Sequence, residues 1–280
     1  MSLKTGFIGA GNMAEAIAAS IIREKISMPE SVFISDVNDQ RTNLMKTKYS
    51  VVTCSSNQEV IEKSEVIILA VKPQILKKTI KESFKDTDFT KERKLIISIA
   101  AGIKTETIEN AIYSFTDEKG ARNFPVIRVM PNTPSLAGCG MSGISKGKNA
   151  DDTDIEKTAK IMNSMGKTLI IEEEKMDAVT AVSGSGPAYF FLFIESLVNA
   201  GIKLGFDKKQ SSDLVLQTAK GALALLEHTG ETPEDLRKKV TSKGGTTEAA
   251  LNTFMENNFK ETIFKSLKAA ADRANELSRN

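Results

Sequence analysis

Lys4-Thr5-Gly6-Phe7-Ile8-Gly9-Ala10-Gly11-Asn12-Met13-Ala14-Glu15-Ala16-Ile17 is the stretch on which the reading of the whole chain turns. A short apolar segment runs into Gly9-x-Gly11-x-x-Ala14, and an alanine-rich helical pattern follows without a break. Each small residue has a task. Gly9 permits a tight turn out of a strand, Gly11 lets the backbone approach a pyrophosphate, and Ala14 allows close packing of helix on strand. The free N–H groups at the helix start then face the phosphate charge. Asp36 lies 22 residues beyond Ala14, close to the ~20 expected of an acid that binds ribose. A glycine turn that binds nothing would need none of this context. The stretch reads as a dinucleotide site.

Outward from it, strands and helices alternate. Val32-Phe33-Ile34-Ser35 reads as a second strand ending at Asp36, residues 38–48 as a helix, 50–53 as a short strand and 58–63 as a helical turn. Glu65-Val66-Ile67-Ile68-Leu69-Ala70-Val71 is almost continuously apolar, as a parallel strand covered on both faces should be. Lys72-Pro73 ends it. Leu95-Ile96-Ile97-Ser98-Ile99 repeats the pattern and runs into Ala100-Ala101-Gly102; residues 126–130 repeat it again and run into Pro131-Asn132-Thr133-Pro134. Strands that finish this way imply a right-handed, doubly wound sheet that binds its ligand at their C-terminal ends. Two further strands, 141–145 and 168–171, bracket a helix over 151–165.

Beyond Glu172-Glu173-Glu174 the grammar changes, and only helices are predicted: 176–182, 188–204, 208–226, 233–239, 246–256 and 260–279. Thr232-Pro233 is a start signal, a threonine cap before a proline in the first turn. The expected fold is therefore α/β: a Rossmann-type doubly wound sheet over residues 1–170, then an all-helical domain over 171–280.

Composition narrows the function classes. The chain has 280 residues, 40% apolar and 26% charged, with net charge +2 from 38 basic and 36 acidic residues. Such a balance argues against nucleic acid or a membrane surface as the main partner. Two cysteines, Cys54 and Cys139, and a single histidine, His228, offer no metal-ligand spacing and no disulfide framework. Met1-Ser2-Leu3-Lys4 leads straight into the first strand, so no signal peptide and a cytoplasmic location are expected. The most apolar stretch, 188–204, is interrupted by Glu195 and Asn199 and is short for a membrane span; it reads as a buried helix. Helices carrying runs such as Phe190-Phe191-Leu192-Phe193 need a cover, either a partner subunit or the rest of the same chain.

Two segments of the helical half are too rich in glycine for ordinary connections. One is Ala181-Val182-Ser183-Gly184-Ser185-Gly186-Pro187-Ala188-Tyr189. The other, Val240-Thr241-Ser242-Lys243-Gly244-Gly245-Thr246-Thr247-Glu248, presents N–H groups and hydroxyls before a helix N-terminus, which suits a small carboxylate. With these residues in view the chain resembles the Δ1-pyrroline-5-carboxylate reductase family over essentially its full length. The resemblance rests on five segments in order: the N-terminal Gly6 to Ala14, Ala70-Val71-Lys72-Pro73, Met130-Pro131-Asn132-Thr133-Pro134, Ser183 to Tyr189, and Thr241 to Thr247.

The resemblance implies reduction of the cyclic imine 1-pyrroline-5-carboxylate to L-proline by NADPH or NADH. It also implies a helical domain that serves substrate binding and dimerisation, with assembly as a homodimer or a multiple of dimers. Carried over by position, Ile8, Gly9, Ala10, Gly11, Asn12 and Met13 would line the pyrophosphate, and Asn57 would lie near the adenosine. Ala70, Val71, Lys72 and Pro73, with Ile99, Ala100 and Ala101, would border the cofactor further along. Ser242, Gly244, Gly245, Thr246 and Thr247 would form the substrate loop, with Thr247 hydrogen-bonding the ring nitrogen as the catalytic residue. The family commonly has proline at Lys243 and an apolar residue at Glu248; neither change is expected to remove a hydroxyl or a backbone donor.

The chemistry suits this inventory. A carbonyl reductase needs a strong proton donor for its alkoxide, whereas an imine nitrogen can carry its proton before hydride arrives. What remains is orientation, a carboxylate anchor and a hydrogen bond to nitrogen. His228, in Leu225-Leu226-Glu227-His228-Thr229-Gly230, is expected to be the end of a helix rather than a catalyst. For the cofactor, Asp36 favours the ribose hydroxyls of NADH, while Ser35, Asn38 and Arg41 could receive the 2′-phosphate of NADPH. The expectation is that NADH is used at least as well. Two alternatives have the same architecture. A β-hydroxyacid dehydrogenase would want a lysine where only Glu195 and Asn199 stand, and a non-catalytic dinucleotide-binding protein would have little use for the 242–247 loop.

Overall fold

Continuous apolar strands, helices with one apolar face and short connections leave this chain few arrangements, and the computed structural model, which describes residues 2–279, shows the doubly wound one. The strands are β1 (Thr5–Ile8), β2 (Val32–Ser35), β3 (Val52–Thr53), β4 (Val66–Leu69), β5 (Leu95–Ser98), β6 (Val126–Met130), β7 (Gly140–Lys146) and β8 (Gly166–Ile170). They form an eight-stranded sheet in the order β3-β2-β1-β4-β5-β6-β7-β8. Strands β1 to β6 pair in parallel, β7 runs antiparallel to β6, and β8 is parallel to β7. The reversal at β7 has a local cause. The link from β6 is a single 3-10 turn over Thr133–Ala137, too short for the crossover a parallel neighbour requires.

Helices α1 (Asn12–Arg23), α2 (Asp39–Tyr49), α3 (Asn57–Lys63), α4 (Pro73–Phe84), α5 (Thr105–Tyr113), α6 (Glu118–Ala121) and α7 (Asp152–Asn163) connect the strands. Alternate residues of β4 go to opposite faces: Val66 and Ile68 join Ile17, Ile21 and Ile34, while Ile67 and Leu69 join Leu76, Ile80 and Phe84. Helices α4, α5 and α6 are additions to the sequence reading. For α4 the signal was there: Pro73 sits in the first turn, and its buried residues Leu76, Ile80 and Phe84 recur every fourth position.

After β8 come α8 (Met176–Val179) and a π-helical turn over Thr180–Gly184, closed by Ser185 N–H donating to Thr180 O at 2.8 Å. The helix expected over 176–182 therefore changes type at Thr180. Contacts divide the chain into one unit up to Ser185 together with Ala270 onward, and a second unit Gly186–Ala269. This division differs from the boundary expected near 170. Residues 173–185 stay on the sheet because Met176 and Ala181 are buried, and a Cβ at Gly143 of β7 would meet Val179 at 2.8 Å.

The second unit contains α9 (Gly186–Lys203), α10 (Lys208–Thr229), α11 (Pro233–Lys239), α12 (Thr246–Glu256) and most of α13 (Phe259–Arg279). Helices α9 and α10 are tied where Ser211 Oγ donates to Val198 O at 2.8 Å. The expectation that residues 188–204 are buried does not hold within one chain. Phe190, Phe191 and Leu192 on α9 are 62%, 65% and 63% exposed. By length and composition alone, the helical run Glu173–Lys203 would also pass for a membrane span. The last turns of α13 belong to the first unit. There Ala274 is buried, and Asn275 donates to Asp177 at 3.3 Å.

Candidate active site

In a parallel sheet that changes direction on either side of its first strand, the crevice lies at the C-terminal ends of the two strands flanking the switch. Here these are β1 and β4. Ile8 pairs with Ser35 on one side and Leu69 on the other, and Leu69 pairs with Ser98, so four strand ends stand level. The residues just beyond continue the ladder. Gly9 N–H donates to Ser35 O at 2.9 Å, Ala70 N–H to Ile8 O at 2.9 Å, and Ile99 N–H to Leu69 O at 3.2 Å. Residues 8–13, 35–36, 70–73 and 99–101 thus meet along one edge of one sheet.

Gly9 adopts φ +105°, and a Cβ there would lie 2.7 Å from Ala70 O, so this position accepts glycine alone. At Gly11 an added Cβ would have no atom within 4 Å, so there is open space beside it. Gly11 is also the N-cap of α1 and makes no side-chain cap bond. Space, uncapped N–H groups and the positive end of a twelve-residue helix together fit a pyrophosphate.

The end of β2 is more heavily bonded than the sequence suggested. Asp36 Oδ2 accepts from Ala10 N–H at 2.6 Å, and its Oδ1 accepts from Asn38 N–H at 2.8 Å. The carboxylate thus ties the glycine turn to the second strand. Ser35 is buried and donates to Asn57 Oδ1 at 2.6 Å, while Asn57 donates on to Ser83 at 2.9 Å. Ser35 and Asn57 are brought together as a partly buried pair, with the Ser35 hydroxyl used inside the protein. Arg41 is engaged as well, with Nε donating to Ala10 O at 2.7 Å and Nη2 to Glu15 at 2.8 Å.

Sequence reasoning passed over two features of this first unit. Asn132, just after β6, accepts from Met141 N–H at 2.9 Å and donates to the Ser183 hydroxyl at 3.2 Å. That contact joins the Pro131–Pro134 segment to the π turn, a geometry enriched at functional sites. Arg128 on β6 is 2% exposed, and its guanidinium meets Glu173 at 3.4 Å and Asp177 at 3.5 Å. Removing one side of such a buried pair typically costs about 3–5 kcal/mol.

The 242–247 loop lies in the second unit. Gly245 is the N-cap of α12 without a side-chain cap bond, Thr247 is half-buried, and Ser242, Lys243, Gly244 and Thr246 are exposed. Gly245 N–H donates to Ser242 O at 3.0 Å. Gly244 N–H donates to Glu248 Oε2 at 2.7 Å. The Gly244 amide remains as a donor but is engaged in this structure, because an acid in the first turn of α12 reaches back to the amide before the cap. His228 occupies the last turn of α10 and is exposed.

Sheet order, glycine turn and uncapped α1 define a dinucleotide-binding α/β protein. Residues 4–102 match the family model "NADP oxidoreductase coenzyme F420-dependent", and residues 173–277 match "Pyrroline-5-carboxylate reductase dimerisation". A pyrroline-5-carboxylate reductase of Bacillus subtilis is 38% identical over 98% of this chain and 95% of its own length. The structure is similar to that of a pyrroline-5-carboxylate reductase from Coxiella burnetii, with TM-score 0.89, 33% identity and 100% of both chains covered. It is also similar to that of the Plasmodium falciparum enzyme with NADP bound, with TM-score 0.83, 32% identity, and 99% and 98% covered. The chain belongs to the pyrroline-5-carboxylate reductase family. The dimerisation match accounts for the exposed apolar side chains of α9, and homo-oligomers follow from it.

Proposed function

We propose that the chain reduces 1-pyrroline-5-carboxylate to L-proline with NAD(P)H in the cytoplasm, as a homodimer or a multiple of one. The observation that supports this most directly is the level array of strand ends around the Gly9–Gly11 turn, in a chain related to these reductases from end to end. A bound nicotinamide dinucleotide supplies the hydride. Gly11, Asn12 and Met13 at the start of α1 would hold its pyrophosphate, with Ala10 tied to Asp36 behind them, and Asp36 would receive the ribose of the adenosine half, with Asn57 nearby. Ala70 to Pro73 and Ile99 to Ala101 would border the other half.

The helical part, expected over 171–280 and forming a compact unit of its own over Gly186–Ala269, serves substrate binding and dimerisation in this reading. Ser242, the Gly244 and Gly245 amides and Thr246 anchor the substrate carboxylate at the uncapped N-terminus of α12. Thr247 hydrogen-bonds the ring nitrogen, which carries a proton before reduction. One proton and two electrons reach the imine carbon together as hydride, the C=N π pair becomes the nitrogen lone pair, and a secondary amine results. No side chain has to donate a proton to an alkoxide, so the step needs nothing from His228, the chain's one histidine. The test is oxidation of NADH and NADPH by purified protein in the presence of pyrroline-5-carboxylate, with proline measured as product. Absence of proline formation with both dinucleotides would overturn the reading.

A further inference from the structure

Glu15 stands in the first turn of α1 with its side chain 17% exposed, and three donors from α2 converge on it. Arg41 Nη2 lies 2.8 Å from one carboxylate oxygen, and Lys48 Nζ and the Tyr49 hydroxyl each lie 3.0 Å from the other. Burial pushes the Glu15 carboxyl up, but the hydrogen bonds from Lys48, Arg41 and Tyr49 together outweigh it and leave it below the ordinary value. The group is an anion at neutral pH. Two cations of the helix that follows Asp36 are therefore drawn onto the flank of α1. Arg41 is also anchored at its Nε, which donates to Ala10 O.

The position of Arg41 matters because of what a 2′-phosphate would bring. It adds close to two negative charges at the tip of β2, where sheets of this kind read the ribose. A dianion there needs donors, above all an arginine fork. At this tip the Ser35 hydroxyl goes to Asn57, the Asn38 N–H to Asp36 and the Gln40 N–H to Asn38. Asp36 itself remains in place as an acid, and each of its oxygens keeps a lone pair for a ribose hydroxyl.

We propose that Glu15 is a specificity-determining residue: by holding Arg41 on the flank of α1 it withholds the cation a 2′-phosphate would need, and so selects NADH over NADPH. The inference rests on the dinucleotide site proposed above and specifies which form that site takes. It places the determinant on α1, away from the residues that face the ribose.

Equilibrium binding of NAD+ and NADP+ to the full-length protein, followed calorimetrically at fixed ionic strength, tests it without reliance on turnover. The parent should bind NAD+ more tightly by about tenfold or more. Glu15→Gln keeps the shape and the tyrosine contact but removes the charge that draws the Arg41 fork to α1, leaving Arg41 only its Nε bond to Ala10 O, so NADP+ affinity should rise about tenfold while NAD+ affinity changes little. Arg41→Ala in the parent should leave NADP+ affinity within about twofold, and the same change in the Glu15→Gln background should erase the gain. A parent selective for NADP+ would overturn the proposal. So would a loss of about tenfold in NADP+ affinity from Arg41→Ala alone, a measurement that stands even if Glu15→Gln fails to fold. Binding of neither dinucleotide would instead overturn the underlying site.

Discussion

A backbone N–H satisfies one carboxylate at a time, and at Gly244 that place is held by Glu248 at 2.7 Å. If the substrate carboxylate uses the same amide, Glu248 competes with it from within the loop. Glu248→Ala should lower KM for pyrroline-5-carboxylate about three- to tenfold with kcat little changed, the signature of altered ground-state binding. A raised KM would mean that Glu248 shapes the loop instead. Thr247 calls for the opposite split. Loss of a hydrogen bond made in the transition state should reduce kcat about tenfold to a thousandfold in Thr247→Ala. His228→Ala, at the exposed end of α10, should leave kcat nearly unchanged. If His228→Ala proved the more damaging variant, imine reduction without a side-chain acid would be the wrong mechanism.

Between elements, Glu109 ties stability to pH. It lies on α5, is 6% exposed, and accepts from Lys148 N–H beyond β7 at 2.7 Å. Burial pushes its carboxyl up, against the lowering effect of the Lys148 amide. A carboxyl raised in the folded state holds its proton better there than in the unfolded chain. Stability is then greatest below the ordinary carboxylate value and is lost as pH rises through the raised one. Glu109→Gln should flatten that loss and raise Tm at pH 8 by about 2–4 °C, measured by thermal unfolding across pH. A pH profile identical to the parent's would count against it. Elements were legible wherever one segment carried its own signal. The bounds 233–239 and 246–256 agree with α11 and α12 because Thr232-Pro233 and Gly244-Gly245 punctuate them. The antiparallel run of β7 was not legible, since it follows from the length of the β6–β7 link rather than from any strand residue. Nor were the bonds of Asp36, Ser35 and Arg41, whose partners Ala10, Asn57 and Glu15 are distant in sequence.

For the whole molecule, assembly is the nearest test. Phe190, Phe191, Leu192 and Phe264 are each 62–65% exposed in the single chain, and a surface of that kind is covered in solution. Sedimentation at micromolar concentration should show a dimer or a multiple of one, and a stable, fully active monomer would contradict it. Family membership was legible because its five motifs are contiguous segments. The division between the units was not, because the first unit is assembled from both ends of the chain. That last fact bears on how the protein can be taken apart. Residues 186–269 form an insertion, spliced into its host at Ser185 and Ala270, rather than a bead following another on a string. The host does not end where the insertion begins. Its closing piece is the tail of α13, where Ala274 is buried, Asn275 reaches Asp177, and Leu277 Cβ would lie 3.3 Å from a Cβ placed at Gly102. Truncation at Ser185 should therefore yield a less stable fragment than a splice of 1–185 to 270–280 through a short flexible linker. The excision that respects the fold removes the middle of the gene, not its end.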